Sequence, residues 1–389
     1  MIPTPMPLHR VDRLGALLGL AAIAAVAWLP FVVFKANRIA SGSARSLFEV
    51  LPFGTALAVA GIVTVVAAIA VGVASPRSRL VAATLGVGVV AFALAAAAAG
   101  LTPPGNRLVR VSPGVGCWML LLVQALVATD ALARLRPGPG LRVLCLALTG
   151  AVLYAAFALG LFDQLSIMRE YAVNAGTFAR EARQHVLLAT GSLGAAVLVG
   201  LPLGVLCHGV PRLRAATLQV LNLIQTIPSI ALFGILMVPL GALAAAAPWA
   251  RELGISGIGA APAVIALFLY ALLPVVANTS VGLGRVSPAA VDAARGMGLT
   301  GRQVLTQIEL PLALPVIVTG IRIVLVQNIG LATVAALIGG GGFGTFVFQG
   351  VGQTAIDLVL LGAIPTVALA FSSAVVLDAL VDVMSRTPQ

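Results

Sequence analysis

Residues 285–311 read RVSPAAVDAARGMGLTGRQVLTQIELP. Ser287 is a residue type that caps a helix N-terminus, and Pro288 suits the first helical position. The run from Pro288 to Met297 is rich in alanine and favours a helix. Gly298 can take the left-handed conformation that ends one. Thr300 and Gln303 have the spacing of a capping box for a second helix, whose Val304, Leu305 and Ile308 share a face. Pro311 opens the next apolar run. Ala289, Ala290, Ala293 and Ala294 leave a surface almost free of side chains, which lets another protein approach the backbone closely. A plain connector is usually shorter and unstructured.

This helix–turn–helix is embedded in a very apolar chain. Of 389 residues, 60% are hydrophobic and 9% charged, against roughly 25% charged in soluble domains. The mean hydropathy is +1.10. Too few polar side chains exist to cover a soluble surface, and disorder needs the opposite balance. Long unbroken apolar runs exclude an outer-membrane barrel, whose strands alternate. The expected fold is an all-α polytopic membrane protein with about ten transmembrane helices. They are placed at Leu14–Phe34, Leu51–Ala74, Leu80–Leu101, Gly114–Leu135, Leu141–Phe162, Val186–His208, Leu213–Leu240, Pro262–Leu283, Pro311–Ile338 and Leu358–Val381. The first run is too long for a signal peptide and lacks a small-residue cleavage pattern.

The net charge is +11, but the arginines are scattered singly through short loops. That pattern fits membrane topology rather than nucleic-acid binding. With the N-terminus in the cytoplasm, inside segments hold 13 arginines, Arg10 among them, and outside segments hold 9 basic residues, Arg107 among them. The bias puts both termini in the cytoplasm. Residues 163–185 are polar and are read as an extracytoplasmic linker. It separates an extension of about five helices, residues 1–162, from a second membrane unit, residues 186–384. Cys117, Cys145 and Cys207, with His9, His185 and His208, show no ligand spacing, so no metal site and no cofactor are expected.

The 285–311 stretch resembles the EAA motif of permeases from binding-protein-dependent ABC importers. Asp292, Ala293, Ala294, Gly298, Ile308, Leu310 and Pro311 match it at every spacing. The departure is aspartate for glutamate at 292, which keeps the charge and shortens its reach. The resemblance extends to QTIPSIALFGILMVPLG (Gln225–Gly241), LFLYALLPVVANTSVGL (Leu267–Leu283), ELPLALPVIVTGIRI (Glu309–Ile323) and ALIGGGGFGTFVFQG (Ala336–Gly350). These look like the betaine/choline-type osmoprotectant permeases, over about Val186 to Asp382. Some members of that family carry an N-terminal extension of this kind. The resemblance implies a type I ABC importer permease core in the C-terminal half, with a coupling loop over 285–310. It implies two copies of an ABC ATPase subunit, a second permease subunit (this chain or a paralogue), an extracytoplasmic solute-binding protein, and a bacterial inner-membrane location. It implies no catalysis by this chain, and no P-loop sequence is present.

Polar residues within the later spans are candidates for the translocation path. Asn222, Gln225, Thr226 and Ser229 recur at helical spacing on one face. Asn278, Thr279, Gln327 and Asn328 lie in the next two spans. Interhelical hydrogen bonding is the competing explanation for all of them. Arg322 is an intramembrane charge, expected to be paired or functional. Asp378 and Asp382 fall at the end of the last helix, where water could solvate them. Pro228, Pro274 and Pro315 predict kinks. Gly339–Gly342 reads as a flexible turn or re-entrant gate element. A secondary transporter or channel for small polar solutes is the alternative reading. It leaves the coupling loop without a role, and no acidic or histidine relay lies in mid-span.

Overall fold

A computed structural model of the chain describes residues 12–386, except 39, 73–74, 104 and 107. His9, Arg10 and Arg107 therefore lie outside the described residues. Among the described residues, nine helices are long and apolar enough to cross a membrane, and a tenth apolar helix is shorter. The chain divides into two units: residues 1–137 with 149–173, and residues 138–148 with 174–389.

The first unit contains α1 (Arg13–Trp28), β1 (Val32–Lys35), β2 (Ser43–Arg45), α2 (Leu47–Val50), α3 (Phe53–Gly72), α4 (Pro76–Leu101), β3 (Arg110–Pro113) and α5 (Val115–Leu135). Helices α6 (Pro139–Ala158) and α7 (Ser166–Gly209) contribute residues to both units. Helix α1 packs on α3 and α5, and α4 on the same two helices. Small residues make the contacts: Ala22, Ala56, Ala83, Ala93 and Ala97 are fully buried. At Gly15 a Cβ would lie 2.1 Å from the Ala70 carbonyl oxygen, so only glycine permits the α1–α3 approach. Without a hydrophobic drive between helices in lipid, such close packing supplies the attraction.

The expected first span, Leu14–Phe34, is not one helix. Pro30 disfavours helical backbone at the preceding residue, and Leu29 is extended (φ −95°, ψ 143°). The β-branched Val32 and Val33 then enter an antiparallel sheet of order β2–β1–β3, with Val33 opposite Ala44 and Ser112.

Four charges join three helix ends of this unit. Arg79, 4% exposed, contacts Asp12 at 2.6 Å and Asp130 at 3.0 Å. Arg134 contacts the same two carboxylates at 2.8 and 2.9 Å. Asp12 also caps α1, accepting from the Leu14 and Gly15 amides. The bond from Arg79, aided by the Gly15 amide and by Arg134, holds the Asp12 carboxyl down at about 2, against a desolvation that raises it. A lowered carboxylate stabilises the fold above its ordinary value of 3.8 and loses that contribution as the pH falls toward about 2. Acid titration followed by circular dichroism should show this unit loosening between those two values, and Asp12→Asn should flatten that limb. An identical titration for both proteins would refute the assignment.

The second unit contains α8 (Pro211–Thr226), α9 (Ser229–Ala246), α10 (Pro248–Glu252), α11 (Ala260–Gly284), α12 (Pro288–Gly296), α13 (Gly301–Val304), α14 (Leu310–Val334), α15 (Gly344–Gly352) and α16 (Ile356–Arg386). A π-turn at Leu305–Glu309 leads into α14, and a 3₁₀ turn at Ala335–Ile338 leaves it. Helix α14 packs between α11 and α16, while α8 and α9 pack on α11. Close approach again needs glycine: a Cβ on Gly204 would meet Thr279 of α11 at 2.5 Å, and one on Gly320 would meet Asn278 at 2.6 Å.

Two expectations change here. Leu213–Leu240 is two helices, broken at Ile227–Pro228. The polar stretch 163–185, expected as a connecting loop, is helical from Ser166 onward. Its Glu, Arg and Ala residues favour a helix, which extends the apolar helix that follows into one of 44 residues.

Candidate functional site

The 285–311 stretch folds as its local chemistry predicts. Helix α12 ends at Met297, and Gly298 has φ +84°. Thr300 and Gln303 form the capping box of α13. Ser287 differs: its side chain makes no cap, and its carbonyl instead accepts from the Ala290 and Val291 amides. Ala294 (1% exposed) and Val304 (2%) anchor the pair of helices. Ala289, Asp292, Ala293 and Gly298 are exposed, and Met297 stands 72% exposed between them. Ala290 is half-buried, so the small-residue surface is formed by Ala289 and Ala293 rather than by all four alanines. Ile308 and Leu310 are half-buried and Pro311 exposed, at the entry to α14.

The path candidates fall into three groups rather than one. The first surrounds the α8–α9 break. Pro274 lacks an amide N–H, so the Tyr270 carbonyl one turn earlier has no helical donor from it. The Gln225 side chain donates to that carbonyl at 2.8 Å. The Tyr270 hydroxyl returns a hydrogen bond to the Ile227 carbonyl, at the break itself. Gln225 and Tyr270 thus fasten the break to α11. Thr226 bonds the Leu223 carbonyl of its own helix at 2.7 Å, and Asn222 is exposed. Ser229 begins α9, so it does not continue the face of Asn222, Gln225 and Thr226.

The second group opens at the end of α11 next to α12. Asn278, Arg285, Thr319 and Ser385, with Val281, Pro315, Val316 and Val381, line an open cleft of about 420 Å³. Of these only Asn278 is a path candidate from the sequence. Thr319 and Ser385 gave no periodic signal, because they come from three different helices with Asn278. Thr279, the next residue, is fully buried and bonds the Val275 carbonyl at 2.7 Å.

The third group is buried. Asn328 is 0% exposed and donates to Ser192 of α7 at 2.9 Å. That bond is interhelical packing of the kind polar groups make in lipid. Gln327 beside it is half-buried.

Arg322 is paired. It donates to Asp378, which also binds Arg142 at 2.8 Å; Arg142 reaches Asp382 at 3.1 Å. The two aspartates at the end of the last helix therefore neutralise arginines instead of standing alone in solvent.

Residues 12–168 match the family described as the N-terminal domain of the ABC transporter permease YehY. Residues 196–387 match the inner-membrane component of binding-protein-dependent transport systems. The osmoprotectant import permease protein OsmW of Salmonella typhimurium is 43% identical over 51% of this chain and 86% of that protein. The glycine betaine/carnitine/choline permease protein OpuCD of Bacillus subtilis is 36% identical over 51% of this chain and 81% of its own length. The carnitine transport permease protein OpuCD of Listeria monocytogenes is 36% identical over 53% and 86%. Among solved structures, an inward-facing MetNI methionine ABC transporter aligns over 54% of this chain and 96% of its own, at 23% identity and TM-score 0.46. With its membrane-spanning helices, its exposed two-helix loop, the family match over residues 196–387 and its identity to OsmW, the chain belongs to the inner-membrane permease components of binding-protein-dependent ABC transport systems, in the branch that holds the osmoprotectant import permeases.

Proposed function

We propose that this permease carries a compatible solute such as glycine betaine, choline or a related quaternary ammonium inward across the bacterial cytoplasmic membrane. The energy comes from a separate ABC ATPase, two copies of which dock on the 285–310 loops of two permease subunits. The second permease is another copy of this chain or a paralogue, and an extracytoplasmic binding protein delivers the solute. Both termini lie in the cytoplasm. Residues 1–162 form the extension, 163–185 the connection and 186–384 the transporting core.

The exposed loop carries this reading. Asp292, Ala293 and Gly298 face outward on a pair of short helices whose other face is anchored by Ala294 and Val304. A rigid element with a small-residue face suits docking better than a mobile loop does. The cleft at Asn278, Thr319 and Ser385 adjoins this loop through Arg285, the residue that caps α11. In this scheme it is the cytoplasmic exit of the path. ATP binding then biases a two-state permease, because the ATPases hold the loops differently in the two states.

The test is uptake of labelled glycine betaine into proteoliposomes holding the permease, its ATPase subunit and the binding protein. Uptake should need internal ATP and persist when proton and sodium gradients are collapsed. Uptake that follows an ion gradient and ignores ATP would overturn the proposal. Competition by unlabelled choline and carnitine ranks the solutes.

A further inference from the structure

The Gly339–Gly342 turn is not loose. Gly339, Gly341 and Gly342 have φ of +77°, +76° and +86°, which commits the backbone to a shape that side chains disfavour. Three residues of α7, spaced so that they share a helix face, hold that shape. Glu181 accepts from the Gly342 amide at 2.6 Å and from the Thr345 hydroxyl at 3.2 Å. Gln184 donates to the Gly340 carbonyl at 3.1 Å. His185 Nδ1 accepts from the Phe343 amide at 3.3 Å. Phe178, on the same helix, packs on Phe343 and Phe346 with ring centroids 5.4 and 6.0 Å away. On the other side, the Gly259 amide at the head of α11 donates to the Ile338 carbonyl at 2.8 Å.

The grip falls at a particular place. The turn leads into α15, and the Glu181 carboxylate sits just ahead of its first turn, on the Gly342 amide and the Thr345 hydroxyl, where a helix N-terminus favours negative charge. Helix α14 has 25 residues, so it places this turn about 37 Å along its axis from the coupling-loop end. Helix α15 is a nine-residue half-helix folded back between α14 and α16. Short charge-assisted bonds to backbone amides are strong when made and are lost together when the two parts separate by an ångström or two.

We propose that Glu181 is a positioning residue for the gate. It clamps the glycine turn and α15 at the end of the permease remote from the coupling loop, and it releases them when the permease switches state. This rests on the two-state ABC reading above. Removing the clamp costs free energy only in the state that contains it, so the population moves toward the other state.

The experiment uses the full permease with its ATPase in nanodiscs. A Cys145→Ser background removes the exposed thiol and leaves Cys117 and Cys207 buried. A spin label is placed at Gln349, an exposed position on α15. Wild type should give an immobile spectrum. Glu181→Ala should add a mobile component and raise solute-independent ATP hydrolysis by about tenfold, the weight of one charge-assisted hydrogen bond. Glu181→Gln keeps an acceptor oxygen and should restore most of the wild-type spectrum. Thr345→Val removes one bond from the opposite partner and should move both readouts the same way by less; it decides the matter if Glu181→Ala fails to fold. Unchanged spectra and unchanged hydrolysis in folded variants would overturn the clamp. A wild type without ATP-dependent uptake would instead overturn the transport reading, and the spectra would still report whether Glu181 holds α15.

Discussion

Gly298→Asp is expected to lower ATP-driven uptake by more than about tenfold while the permease still folds. Nothing lies within 4 Å of a Cβ built at Gly298, so the substitution meets open space. Its cost is conformational. The backbone sits at φ +84°, where an L-residue loses about 1–2 kcal/mol and Asp or Asn loses least. The site is an exposed turn, so that cost stays local. The effect on docking is larger. The surface offered by α12 includes Ala289, Asp292 and Ala293 with the turn beside them, and a second carboxylate there must be desolvated against a partner that accommodates one. A penalty of about 1.4 kcal/mol in docking already gives a tenfold loss. Gly298→Asn has nearly the same shape and backbone tolerance without the charge. It should keep most of the uptake and most of the ATPase recovered with the permease in detergent. Equal ATPase recovery with the aspartate variant would place the docking surface elsewhere. Equal loss with both variants would mean that backbone strain, and not charge, is what the turn resists.

That turn also shows what a sequence can disclose. Gly298, Thr300, Gln303 and Ala294 act within about ten residues of one another, and capping is decided over that range. The apolar runs disclosed the membrane fold for a similar reason, since each helix satisfies its own backbone. What stayed hidden was decided elsewhere in the chain. The Asp378 partners, Arg142 and Arg322, are separated from it by 236 and 56 residues, and no periodicity joins them. The sheet of β1, β2 and β3 was masked because Phe31, Val32 and Val33 prolong an apolar run, and hydropathy does not distinguish a helix from a buried strand. Residues 163–185 have the polarity of a linker. Helix propensity, a weaker signal there than charge, pointed the other way. The grouping of Asn222, Gln225, Thr226 and Ser229 assumed an unbroken helix, and Pro228 removed that assumption.

The break at Pro228 leads to the second large effect, expected from Tyr270→Phe. Two prolines act on one residue. Pro274 takes a donor from the Tyr270 carbonyl, and Pro228 ends α8 so that the Ile227 carbonyl faces α11. Gln225 answers the first and the Tyr270 hydroxyl answers the second. Tyr270 is 5% exposed, so little water is present to replace either bond. Removing the hydroxyl leaves a carbonyl short of a donor, at about 1–3 kcal/mol. Gln225→Leu should cost a similar amount by stranding the Tyr270 carbonyl. The pair should be non-additive, because each bond holds the geometry of the other. Thr226→Val is the control: its hydroxyl bonds its own helix, and the change should stay within about 0.5 kcal/mol. Thermal unfolding in detergent gives the stabilities, and uptake at saturating solute tests whether the fastened break also serves the moving core. A Tyr270→Phe protein that melts and transports like wild type would show that the break holds without the lock. One that melts earlier yet transports at the wild-type rate would make the lock structural and place the hinge at another proline.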